Sequence, residues 1–332
     1  MAKHLRQLIW LTTLLALAVI VLGAYVRLSD AGLGCPDWPG CYGHLGVPVS
    51  PEQIQKAKVL YPDQTIEHPK AAKEMLHRYL AGGLGLLILL INILALKTVS
   101  PARPPMAVTL GLLVLVIFQA LLGMWTVTLL LKPVIVTAHL LGGMAILVLL
   151  VWLSLSVYAP RSRVANSSAL SRLSTLGLLV VFLQVALGGW VSSNYAALAC
   201  SDFPLCQGRW WPPMDFSHAF HLTRELGKAA DGGSLGREAL TALHWTHRVG
   251  ALVTVVVVGA LVWRAARYSL LRNTAFLVLG LLLTQVALGI ANVWLSLPLS
   301  VALLHNAGAA LLLCALTMLK FKAGSIASRP KS

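Results

Sequence analysis

The chain has 332 residues, 58% hydrophobic and only 11% charged, with a mean hydropathy of +0.79 and a formal net charge of +15. A soluble globule carries about a quarter charged residues, so a water-soluble domain is excluded, and disorder, which requires low hydrophobicity, is excluded with it. A polytopic membrane protein remains.

Continuous apolar runs predict eight transmembrane helices, at Leu8–Leu28, Leu76–Leu96, Ala107–Leu131, Val134–Tyr158, Leu173–Ser193, Ala242–Trp263, Thr274–Leu295 and Leu299–Leu319. Runs of this length mean helices, because a barrel strand alternates over about ten residues. Lys3 and Arg6 flank the first run as in a signal peptide. A length of about 21 residues is long for one, and the repeat described below requires this span, so it is expected to be an uncleaved anchor.

The positive charge is distributed by side. The N-terminal side holds Lys3, Arg6, Lys97, Arg103, Arg161, Arg163, Arg172, Arg264, Arg267, Arg272, Lys320, Lys322, Arg329 and Lys331, and no acid. The other twelve cations and all eleven acids fall on the opposite side. This is the positive-inside pattern, which places both termini in the cytoplasm and makes a nucleic-acid partner unnecessary. The long loops, about residues 29–75 and 194–241, then face outward. They hold Cys35 and Cys41, then Cys200 and Cys206, while Cys314 lies in the last span. Paired thiols in an oxidising compartment suggest disulfides, with metal ligation by thiolates the alternative. Whether such bonds only staple the loops or also act in redox chemistry is open at this level.

The chain is written twice. LGAYVRLSDAGLGCPDWPGCYG at 22–43 answers LGGWVSSNYAALACSDFPLCQG at 187–208, with ten identities at an offset of 165. His77-Arg78 answers His247-Arg248, Gln119-Ala-Leu-Leu-Gly123 answers Gln285-Val-Ala-Leu-Gly289, and His139 answers His305. Each copy starts on the same side and holds four spans, so the repeat is parallel. The expected fold is an all-α integral membrane protein of two pseudo-symmetric four-helix bundles, residues 1–165 and 166–332.

Four of the ten histidines recur between the copies, near the outer ends of the second and fourth spans of each. An ionisable group at membrane depth is a functional candidate. Two imidazoles from facing helices suit a flat macrocycle with both axial positions filled, a bis-histidine heme. Zinc would require about four ligands. Small residues three or four positions after each histidine, Ala81, Gly142, Gly143, Gly250, Ala251, Gly308 and Ala309, would admit a porphyrin or serve helix packing equally well. Arg78 and Arg248 are candidates to pair with heme propionates. His218 and His221, in the second loop, are read as solvated rather than as a metal clip. Glu74 stands three residues before His77, and its counterpart is His244. One turn from a metal ligand, a carboxylate can move protons. Equally, it is a helix-terminal charge favoured by the dipole.

Taken together, the duplicated unit, Glu74-Met-Leu-His77-Arg78, the outer cysteine pairs and the four helical histidines resemble the heme A synthases of bacteria and mitochondria. That resemblance implies oxidation of the C8 methyl of heme O to a formyl group. It further implies a substrate site at His77 and His139, a heme b cofactor between His247 and His305, Glu74 as catalytic carboxylate, and a Cys35–Cys41 disulfide important for activity. The second pair, Cys200–Cys206, leaves open whether a redox role belongs to the first alone. Implied partners are membrane lipid, a heme O-making farnesyltransferase as donor and an electron acceptor; the sequence is compatible with a homo-oligomer. A bis-histidine cytochrome b carrier is the rival reading, though it needs neither Glu74 nor the cysteines. A heme transporter would place histidines at several depths.

Overall fold

In the computed structural model, which describes residues 2–98, 104–158, 168–229 and 232–324, the chain is helical throughout, with only isolated β-bridges among those residues. Arg103, Arg161, Arg163, Arg329 and Lys331 of the charge pattern lie outside the described residues, as does the boundary expected near residue 165. The helices are α1 (Ala2–Leu28), α2 (Pro51–Leu60), α3 (His68–Lys97), α4 (Met106–Thr128), α5 (Pro133–Tyr158), α6 (Ser168–Ser193), α7 (Phe216–Ala219), α8 (Arg237–Ala265), α9 (Ser269–Trp294) and α10 (Leu299–Gly324). Eight of them, all but α2 and α7, are long and apolar enough to cross a membrane. Lipid explains surface leucines and valines such as Leu86, Val114, Leu183, Leu252 and Val256, which are exposed on these helices.

Helix ends repeat with the sequence. α1 and α6 finish in a left-handed residue, Asp30 and Tyr195, with the Ala31 and Ala196 N–H groups returning to the Val26 and Val191 carbonyls at 2.9 Å. α4 and α9 finish the same way: Leu131 bonds back to Thr126 at 2.8 Å and Leu297 to Asn292 at 2.7 Å. Each bond satisfies a carbonyl that the last turn leaves open. Pro133 and Pro298 follow and cannot extend the old helix, so the next one starts.

Packing is also repeated. α1 packs on α3 and α5, and α4 on α3 and α5; α6 packs on α8 and α10, and α9 on α8 and α10. In each group the two histidine-bearing helices are therefore diagonal, an arrangement compatible with a duplicated four-helix bundle. The groups meet through α5 against α6 and α10, and α1 against α10. A continuous apolar core, including Ile9, Ile88, Leu112, Leu147, Leu150, Leu261, Leu271 and Leu316, runs through both. At the loop end the repeats touch: Arg27 donates to the Tyr195 hydroxyl at 3.0 Å and to the Ser192 carbonyl at 2.8 Å. Both disulfide loops thus lie at one end of the molecule.

Two helices begin earlier than hydropathy predicts at the disulfide-loop end, α3 and α8, as α1, α6 and α9 do at the other end. α3 starts at His68 and α8 at Arg237, so His77 and His247 stand about 14–15 Å inside their helices, at 1.5 Å per residue. The polar first turns continue the helix beyond the apolar run. Glu74 is accordingly in the second turn, not the first, which weakens a purely dipolar role.

Candidate functional site

His77 on α3 and His139 on α5 face each other across the first group, with ring centres 6.5 Å apart and planes at 82°. A metal–imidazole bond of about 2 Å, plus about 1.1 Å from nitrogen to ring centre on each side, separates two rings on one ion by about 6.2 Å. The pair is spaced for a single metal ion. All four recurring histidines are only half-buried although they stand between helices, and no hydrogen bond reaches their Nε2 atoms among the described residues. The Nδ1 atoms of His77 and His139 are buried and unbonded. Two free Nε2 atoms on diagonal helices fit a planar group whose iron takes both imidazoles.

Each ring rests against a glycine of a neighbouring helix. A Cβ would stand 2.8 Å from the His77 Cε1 at Gly23, 3.2 Å from His139 at Gly123, 3.1 Å from His247 at Gly188 and 3.4 Å from His305 at Gly289. Real side chains essentially never approach below 3.0 Å, so Gly23 is the most constrained of the four.

Four residues before three of these glycines stands a glutamine, an element that sequence reading passed over. Gln119 donates from Nε2 to the His139 carbonyl at 2.5 Å, and Gln184 to the His247 carbonyl at 2.9 Å while lying 3.1 Å from its Nδ1. With its amide oriented to satisfy both ends, Gln285 donates to the His305 carbonyl at 2.9 Å and accepts from the Ala309 N–H at 3.2 Å. A Cβ at Gly142, Gly250 or Gly308 would run into these amides. The small residues expected to admit a porphyrin or to serve general packing have a narrower use at these three positions, which is to make room for glutamine. The signal was legible in the repeated Gln-x-x-x-Gly.

Glu74 is 4% exposed; its Oε2 accepts the Cys35 N–H at 3.0 Å and its Oε1 the Arg78 Nη2 at 2.5 Å. Arg78 Nη1 also donates to the carbonyls of Asp37 at 2.8 Å and Gly40 at 2.5 Å. In the second copy, His244 Nδ1 accepts the Cys200 N–H at 3.3 Å and Arg248 Nε reaches His244 Nε2 at 3.2 Å. Arg248 also donates to the Leu205 and Cys200 carbonyls at 2.8 and 3.1 Å. Both arginines, expected at propionates, are here committed to the cysteine turns. The cysteines are bonded, Cys35 to Cys41 and Cys200 to Cys206. In each turn an aspartate caps the next backbone: Asp37 accepts from the N–H groups of Tyr42 and Gly43, and Asp202 from those of Gln207 and Gly208. The Gly208 bond holds the Asp202 carboxyl below the usual carboxylate range. His218 pairs with Asp215 at 2.5 Å, and no three His, Cys, Asp or Glu side chains cluster as a metal site among the described residues.

Over residues 6–317 the chain matches the COX15-CtaA family, described as cytochrome oxidase assembly protein. The chain belongs to this family. It is 45% identical over 322 residues to the heme A synthase of Shewanella oneidensis, covering 95% of this chain and 96% of that protein. Similarity extends to the heme A synthases of Caulobacter vibrioides, 29% identical over 93% of each chain, and Halalkalibacterium halodurans, 29% identical over 92% of each. The span matched to the cytochrome oxidase assembly family contains Glu74, all four recurring histidines and all four bonded cysteines.

Proposed function

We propose that this membrane protein is a heme A synthase, oxidising the C8 methyl of heme O to a formyl group. The observation that carries the reading is the His77–His139 pair at one-metal spacing with buried Glu74 one turn away, in a chain 45% identical to a heme A synthase.

In this reading residues 1–165 hold the substrate, its iron between His77 and His139 and its farnesyl tail toward lipid. The methyl is oxidised in two successive two-electron steps, through an alcohol and then a gem-diol that loses water to give the aldehyde. Each step adds a water-derived hydroxyl and releases two protons and two electrons, the electrons passing one at a time to an external acceptor. Glu74 is the proton acceptor, since it is the buried carboxylate nearest His77 in sequence and shares its helix face. Arg78 and the Cys35 N–H fix both of its oxygens, so the carboxylate is oriented before substrate arrives. In residues 166–332, His247 and His305 would hold heme b, which would supply one-electron transfer toward that acceptor. His244, a neutral acceptor where Glu74 stands in the other copy, keeps the second cysteine turn in place. Both termini lie in the cytoplasm of a bacterial inner membrane, the cysteine loops outside. A heme O-making farnesyltransferase is the donor, and a homo-oligomer is compatible with the exposed helix faces.

Expression beside a heme O source, followed by chromatography and mass measurement of extracted porphyrins, tests the reading. Heme A is the expected product. Recovery of heme b alone, with heme O unconverted, would indicate a bis-histidine electron carrier instead.

A further inference from the structure

Of the four histidine stations, three share one construction and the fourth departs from it. His139, His247 and His305 each have glycine three residues on, at Gly142, Gly250 and Gly308, and a glutamine from the neighbouring helix seated there and bonded to the histidine's own carbonyl. The bond ties the histidine backbone to the next helix where the imidazole projects. At His77 the residue three on is Leu80, and the residue four before Gly23 is Val19. Val19 is the counterpart of Gln184 at an offset of 165, and Leu80 is the counterpart of Gly250 at the offset of 170 that relates His77 to His247. Both members of the pair have changed together, an amide and a glycine for two aliphatic side chains packed in the core. The main chain of Val19 still faces the His77 ring, but no side-chain amide holds the His77 carbonyl among the described residues.

We propose that this difference sets which heme stays and which exchanges. His77 is the ligand that lets go. Its own carbonyl has no interhelical amide bond among the described residues, whereas His139, held by Gln119, keeps its position through release. His247 and His305 are both clamped, so the group between them is retained. The inference rests on the reading that the first site takes a substrate and the second a resident cofactor. Gln184 and Val19 are positioning residues, acting on the iron only through His247 and His77. An interhelical hydrogen bond in a membrane protein is modest in strength, which translates into rate changes of about three- to tenfold.

The test uses the full-length protein in nanodiscs, loaded with ferric heme b alone, with transfer to excess apomyoglobin followed optically. His247→Ala isolates the first site and His77→Ala the second. Expected results are faster loss from the first site than from the second, loss from the second accelerated about three- to tenfold by Gln184→Met, and loss from the first slowed by a similar factor in the double variant Val19→Gln/Leu80→Gly. Gln184→Met keeps side-chain length while deleting the amide, and the double variant is a gain of retention that general loosening of the fold cannot produce. Equal loss from both sites in the parent, or rates unmoved by these variants in folded protein, would overturn the proposal. Because heme b serves as probe at both sites, the result does not depend on whether the protein makes heme A, which is read separately from extracted porphyrins.

Discussion

The two copies of the repeat keep the same helix ends, cysteine turns and glycine-backed imidazoles, and they differ at a few chosen side chains. In the first copy a carboxylate, Glu74, accepts the cysteine N–H and meets an arginine; in the second a neutral ring, His244, does both. The first copy has Val19 and Leu80 where the second has Gln184 and Gly250. Duplication supplies two frames with matched histidine pairs. Divergence at these positions leaves one frame a buried carboxylate and gives the other a second glutamine bond to a histidine carbonyl. Keeping the frame costs little, because the glycines and helix ends are backbone requirements, while charge and amide groups change without moving the helices.

Three experiments sharpen or break this contrast. The largest effect is expected from Glu74→Gln, which keeps shape and one hydrogen bond while removing the proton acceptor. General acid–base catalysis contributes about 10²- to 10⁴-fold, so heme A output should fall by at least about 100-fold with bound heme retained, whereas His244→Gln should reduce output far less. Extracted heme ratios measure both, and unchanged heme A from Glu74→Gln would remove that residue from the chemistry. Next come the cysteines. Opening either short loop by Cys→Ser at both positions should cost about 2 kcal/mol of stability by loop entropy, seen as a lower thermal midpoint. Only loss of Cys35–Cys41 should also depress heme A output, because Cys35 holds Glu74. The smallest effect compares Gly23→Ala with Gly188→Ala. The added methyl meets His77 at 2.8 Å and His247 at 3.1 Å, and overpacking of this kind costs about 1–3 kcal/mol. Gly23→Ala should disturb the low-spin spectrum of its site more than Gly188→Ala; equal disturbance would mean the rings are not seated as described.

Much of the architecture was legible from hydropathy, since lipid as solvent demands long uninterrupted apolar helices and the eight spans follow from that demand alone. Their ends at the disulfide loops were not: α3 and α8 run on through polar residues that hydropathy reads as loop. The short helices α2 and α7 were missed for the same reason, being outside the apolar pattern. The four recurring histidines stand out in the sequence because the repeat singles them out. The partners of Arg78 and Arg248 stayed hidden, because a guanidinium's fate depends on which turn folds over it.

From the amino-acid order alone came the number of spans, the duplication and the pairing of histidines, all of them consequences of local composition and of self-similarity along one chain. Only the tertiary structure decided that α3 faces α5 across a diagonal, that Gln119, Gln184 and Gln285 sit in the gaps left by glycines, and that among the described residues no such amide reaches His77. Those contacts join residues tens of positions apart on different helices. Which helix neighbours which is set by how all eight pack at once, and no single segment contains that information.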